Sequence, residues 1–173
     1  MNQYVTGTTT KKLREKCGFT QAENVSANML RSVFYVCPVC GNIIHGMGEA
    51  AVSCHGVMLT PCVAEVSDED HMIFVERVED EYYVRVEHDM TKQHYISFIA
   101  ALSPDKLQMV KLYPEGNAEA RFKINGVKKI LFYCNRDGMF LINVENGIDD
   151  KQTAYDDIEE RRELEQTAKM LFG

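Results

Sequence analysis

The sequence predicts a mainly β protein on three observations. Between His71 and Glu145, short runs alternate apolar and polar residues with the period of two that a half-buried strand requires. Turn-forming groups punctuate these runs: Glu79-Asp80, Ser103-Pro104-Asp105, Pro114-Glu115-Gly116-Asn117 and Asn125-Gly126, the last read as a two-residue hairpin turn. The most regular stretch, from Tyr82 to Ile99, holds two alternating runs around a short polar connection and reads as consecutive strands. About seven strands result, the spacing of an antiparallel sandwich or barrel of immunoglobulin-like kind. Tyr82, Tyr95, Phe98, Phe122 and Phe132 are its core and rim aromatics.

The remaining elements follow in chain order. A chain of 173 residues is long enough for one core and a small appended unit. In residues 1–30, Thr8 to Glu23 resembles the opening of a phage-repressor-type helix-turn-helix domain, with a basic first helix, Gly18, and Thr20-Gln21 to cap a second. No recognition helix follows, so this stretch is read as a truncated leader, a short exposed helix. Residues 34–64 form a Cys-rich module. Cys37-Pro38-Val39-Cys40 is a turn-forming CxxC, and Cys54-His55-Gly56 closes a hairpin-sized loop containing Gly46 and Gly48. One tight turn aims two thiolates at an ion and a second turn completes a tetrahedron. The ligand set read here is Cys37, Cys40, Cys54 and His55, with Cys62 close enough to compete for the fourth place. Residues 65–147 carry the strands. Residues 148–173 have helix-forming composition, with Leu164, Ala168 and Leu171 on a narrow apolar stripe. That helix is read as docked on the sandwich, with a homodimer contact as the other use of its stripe.

Charge and cysteine usage exclude some partners. A net charge of -7 and a pI near 5.2 provide no basic face for a polyanion, so nucleic acid is not expected as a partner. No apolar run approaches the roughly 18 residues that cross a bilayer, and the N-terminus lacks the order of a signal peptide. A cytoplasmic protein without membrane contact is expected, and its six cysteines then suggest metal binding or buried thiols before disulfides.

Inside the strand region four donors repeat one pattern. His88 shares a face with Val84 and Val86, and His94 with Ile96 and Phe98. His71 shares a face with Ile73 and Val75, and Cys134 with Ile130 and Phe132. A single such residue is usually a rim polar group or a buried thiol. Four of them, each where an apolar face ends, can converge on a metal sheltered by the core and open at the rim.

His71, then His88 and His94, then Cys134-Asn135-Arg136-Asp137-Gly138 resemble the iron-centre motifs of the superoxide reductase and desulfoferrodoxin family, whose pattern ends in Cys-Asn-X-His-Gly. The resemblance runs from about Tyr35 to Phe140. It implies an immunoglobulin-like sandwich and a mononuclear iron held in the family by four imidazoles and a trans thiolate, with a sixth position open to superoxide. Cys134 would be that thiolate, and His71, His88 and His94 would hold the metal in plane. Asp137 stands where the family has its last histidine, and Asp70 where a lysine precedes the first. The Cys-rich module resembles the desulforedoxin-like unit of the same family, which holds one iron. Here Cys54-His55 replaces an adjacent cysteine pair, a Cys3His set common for structural zinc, so zinc or iron is the expected second metal.

Two functions follow from the resemblance. The first is reduction of superoxide to hydrogen peroxide at iron, fed by an electron donor such as rubredoxin and weakened by Asp70 and Asp137. The alternative is a non-catalytic metal-binding or redox-sensing module derived from a desulfoferrodoxin-type regulator.

Overall fold

Where polar and apolar side chains alternate, a strand with one face on the core is the stable solution. The computed structural model describes residues 28–144, Lys12, Lys16 and the backbone of Gln152–Thr153. Its strands are β1 (Val33–Val36), β2 (Ile43–Gly46), β3 (Val52–Cys54), β4 (Val57–Leu59), β5 (Ala64–Val66), β6 (Ile73–Val78), β7 (Glu81–Val86), β8 (Ile96–Leu102), β9 (Leu107–Lys111), β10 (Glu119–Lys123), β11 (Lys129–Cys134), β12 (Gly138–Asn143) and β13 (Gln152–Thr153). Seven of them, β6 to β12, occupy the region where about seven were expected.

They form a sandwich. One sheet runs β10-β7-β6-β13 and the other β5-β12-β11-β8-β9, while β1-β2 and β3-β4 are separate hairpins. Among the described residues every pairing is antiparallel except β12 with β5, which is parallel and adds an edge strand that turn spacing could not announce. The space between the sheets is filled by Ile73, Val75, Val84 and Val86 from one side and Ile96, Ile99, Ile130, Phe132, Phe140 and Ile142 from the other. The outer face of the larger sheet is also apolar. Phe98, Ala100, Leu102, Leu131 and Met139 there are covered by Phe34 of β1, with Leu30, Val36 and Ile43 around it. The interior strand β8 is consequently buried along its whole length, as a strand covered on both faces must be.

Four expectations need correction. Asn125-Gly126 is a turn, with Val127 N–H bonded to Ile124 O at 2.8 Å, but it carries the chain from one sheet to the other: β10 pairs with β7, and β11 with β8 and β12. A turn signal specifies the reversal and not which strands pair afterwards. The second concerns His88 and His94, which lie outside the strands, in the connection from β7 to β8 that crosses between sheets. Third, Ile96 and Phe98 do not share a face. The register of β8 against β11 shifts between the pairs Phe98↔Tyr133 and Ile96↔Cys134, leaving Ser97 as an extra residue. That bulge turns Ile96 into the inter-sheet core while Phe98 joins the outer cluster. Fourth, Gln152–Thr153, expected in a helix, form a short strand against β6. The rest of that helix lies outside the described residues. So does the leader apart from Lys12 and Lys16, both helical and exposed, and the stretch from Asn28.

Phe98 ties the β1-β2 hairpin to the sandwich, its ring centroid 5.2 Å from that of Phe34 and 5.9 Å from that of Tyr133. Phe98→Ala should cost about 3–5 kcal/mol, the range for truncating a buried aromatic. It should also speed amide exchange in β1 before that in β11. An unchanged denaturation midpoint would show that this face is not a packed core.

Candidate metal centres

The rim cluster begins with β11, whose inward face ends in Cys134, a side chain with no exposed surface. A three-residue loop then returns the chain into β12 through Gly138, whose φ of +101° suits a residue without Cβ. This hairpin brings the Asp137 carboxylate within 3.0 Å of the Cys134 sulfur. Next comes the β7-β8 connection. Asn135 clamps it by accepting from the Tyr95 N–H at 2.8 Å and donating to the Gln93 carbonyl at 3.0 Å. The Thr91 hydroxyl accepts from the His94 N–H at 3.0 Å. Held from both sides, His94 points its Nε2 at Asp137 Oδ2 at 2.7 Å and Cys134 Sγ at 3.1 Å. His88 Nε2 lies 3.1 Å from His94 Nε2 and 3.6 Å from the sulfur. His71 ends a single 3-10 turn, stacks on Phe140 at 4.1 Å, and sets its Nε2 3.2 Å from Asp137 Oδ2.

One donor atom from each of His71, His88, His94, Cys134 and Asp137 thus lies within 4.8 Å of all the others. Their chemistry fits a cation better than protons. The His94 Nε2 has three acceptor-type neighbours and at most one proton to offer them. Burial, reinforced by the Asp137 carboxylate, pushes the Cys134 thiol up to about 11, so only a bound cation would make it a thiolate at neutral pH. Asp137 is held down at about 2, first by the Cys134 thiol and then by His94 and His71. His88 is pushed below the usual imidazole range by burial and then by the charges of His94 and His71. The cluster opens to solvent through a cleft lined by Glu69, Asp70, Met72, Glu87 and Asp89 in addition to four of its own residues, His71, His88, His94 and Asp137, with no lysine or arginine among them.

The second cluster forms in the Cys-rich segment. The CxxC links β1 to β2, closed by Cys37 N–H to Asn42 O at 2.9 Å and Gly41 N–H to Cys37 O at 2.8 Å. Cys54 and His55, expected to close a hairpin-sized loop containing Gly46 and Gly48, sit instead on a hairpin of their own, β3-β4. Its two central residues, His55 and Gly56, have φ of +52° and +75°, the left-handed pair of a type I′ turn. Cys37, Cys40, Cys54 and His55 come together with donor atoms within 4.8 Å of one another. Cys40 and Cys54 sulfurs are 3.8 Å apart, and His55 Nδ1 lies 3.2 Å from Cys54 Sγ and 3.9 Å from Cys37 Sγ. The edge of a tetrahedron with metal–sulfur bonds of ~2.3 Å is about 3.8 Å. Burial raises the Cys37 thiol, but N–H groups of Cys40 and Val39 and the His55 ring outweigh it and bring it down to about 6. Cys62 is not in this cluster; it packs under Phe34 on the outer face of the large sheet.

Sequence reading named the donors and missed what places them. Thr91, Asp68 and Ser67 act through local hydrogen bonds and Asn135 through bonds to residues 40 and 42 positions away, none of which has a periodicity, and only the Asn after Cys134 belonged to a recognised motif.

An antiparallel sandwich with a three-histidine, one-cysteine cluster at its rim and a separate cysteine knuckle defines a narrow class of protein. The crystal structure of the superoxide reductase from Treponema pallidum superposes with a TM-score of 0.58 at 23% identity, over 65% of this chain and 98% of its own, so the two share a fold. Desulfoferrodoxin of Desulfarculus baarsii is 34% identical over 114 residues, which are 60% of this chain and 90% of that protein. The chain belongs to the desulfoferrodoxin family. Desulfoferrodoxin of Clostridium acetobutylicum is 34% identical over 59 residues, covering 34% of this chain and 47% of that one. No family model matches the chain.

If the knuckle holds a metal, Cys40→Ser should remove one equivalent per chain and loosen residues 34–64 while the sandwich keeps its circular dichroism. Metal content equal to that of the unaltered chain would rule this cluster out.

Proposed function

We propose that the rim cluster holds a mononuclear iron and that the protein reduces superoxide to hydrogen peroxide at a modest rate. The observation that carries this reading is the convergence of His71, His88, His94, Cys134 and Asp137 at the mouth of a cleft. Bound iron would supply the one electron that, with two protons, converts superoxide to hydrogen peroxide. The chain's own residues set how well this proceeds. Cys134, as a thiolate, would be one of the residues holding the metal and would supply it with electron density. The three imidazoles would hold the metal as neutral ligands, and Phe140 stacked on His71 keeps one wall dry. Asp137 brings a charged, harder oxygen, which stabilises the oxidised metal and makes it a poorer donor. Asp70, Glu87 and Asp89 around the opening repel an approaching anion.

The knuckle is assigned a structural zinc or iron in Cys37, Cys40, Cys54 and His55. An external electron donor of rubredoxin kind would return the electron spent on each turnover. The cytoplasm is the assigned compartment, and among the described residues no helix is long and apolar enough to cross a membrane. A second reading, a metal-binding or redox-sensing module without turnover, is favoured by the same carboxylates, since a sensor has no need to attract superoxide.

The double change Asp137→His with Asp70→Lys separates the two. It should raise iron occupancy and the rate with superoxide by about 10- to 100-fold, the usual size of a change in ligand or ligand support. Adding Cys134→Ser in that background should abolish the thiolate-to-iron absorption band. A double variant that gains neither iron nor rate would remove Asp137 from the site and with it this function.

A further inference from the structure

We propose that Asp68 is a positioning residue of the rim centre, fixing the tautomer and the donor strength of His71. This rests on the reading of the cluster as a metal site. Asp68 occupies the N-cap of the single 3-10 turn Glu69–His71, a place where a carboxylate ordinarily accepts from a backbone N–H two or three residues further on. It makes no such cap bond. Its Oδ1 instead lies 2.8 Å from His71 Nδ1, while His71 Nε2 faces the cluster. A carboxylate can only accept, so the proton between them belongs to Nδ1 and the Nε2 lone pair is free for a cation.

The backbone and ring of His71 are held by other means. The buried Ser67 hydroxyl donates to the His71 carbonyl, the His71 N–H reaches Asp68 O at 3.3 Å, and Phe140 stacks on the ring. Removing the Asp68 side chain would therefore leave the imidazole in place but free to carry its proton on either nitrogen. The three histidines are not equivalent in this respect. His88 Nδ1 is buried and, among the described residues, without a well-formed partner. Among the described residues, His71 alone of the three has a carboxylate on the nitrogen that faces away from the cluster. A full negative charge there makes His71 the strongest imidazole donor of the set and supports an oxidised metal. Asp68 is 55% exposed, so solvent weakens this influence without abolishing it.

The test uses the full chain with Asp68→Ala and Asp68→Asn. An amide oxygen can still accept from Nδ1–H, so Asn keeps the tautomer and loses the charge. Fe(II) affinity is read by competition with a chelator, and the oxidised form by its thiolate-to-iron band. The Nδ1 proton of His71 is followed by NMR in the Zn(II)-loaded chain. Asp68→Ala should lower Fe(II) affinity about 10- to 100-fold. It should also move the band and lose the slowly exchanging proton, whereas Asp68→Asn should keep the proton and recover most of the affinity. Unfolding of the metal-free chains should be alike. Equal affinity and band position in all three proteins would overturn the proposal, and so would an affinity loss that only tracks lower stability of the metal-free variants. Should the unaltered chain take neither Fe(II) nor Zn(II) at the rim, the metal reading itself would fall.

Discussion

A sulfur atom at the inner end of β11 sets the terms for everything around it. Cys134 closes a row of side chains, Ile130 and Phe132 before it, that face the opposite sheet, so the thiol lies at the edge of the dry interior. A polar atom there needs partners. The chain supplies them from two directions, Asp137 around the next turn and His88 and His94 from the connection between sheets, and His71 from the turn before β6 joins them through Asp137. The Ser97 bulge belongs to the same arrangement. It keeps Ile96 opposite Cys134 and inside the core while the rest of β8 shifts by one residue, and Tyr95 and His94 are thereby presented to the rim on a segment that Asn135 can grip.

The strands were legible because burial on one face forces a period of two, and β6 to β12 lie where that period runs. Their pairing was not. Whether a turn closes a hairpin or crosses to the other sheet depends on which faces are left to bury, information that Asn125-Gly126 does not contain. The donors themselves were legible, since a histidine or cysteine at the end of an apolar run is unusual in number when it happens four times. Placing Ile96 with Phe98 failed because a bulge is invisible to an alternation count. The knuckle donors were legible from CxxC spacing. Excluding Cys62 required tertiary packing, since the strand path after β4 takes it beneath Phe34.

The two clusters differ in electrostatic setting. In the knuckle the Cys37 thiol meets backbone N–H groups of a tight turn, which lower it, while burial raises Cys54. At the rim the thiol meets a carboxylate and burial, which raise it. A cation held at the rim would have to displace the proton of that raised thiol. The rim's carboxylate-lined opening extends the same negative field outward, which favours arrival of a cation over that of an anion.

The clusters also differ in how far along the chain their members lie. The knuckle spans 18 residues from Cys37 to His55 and needs only two adjoining hairpins. The rim joins residues as much as 66 apart, from His71 to Asp137, and exists only after both sheets have met. Closing the longer loop costs more chain entropy and comes later when contacts form in order of separation. A cation present during synthesis would thus find the knuckle while the sandwich is still incomplete, and the rim only on a finished molecule. Order of assembly then sorts metals in time as well as by ligand chemistry.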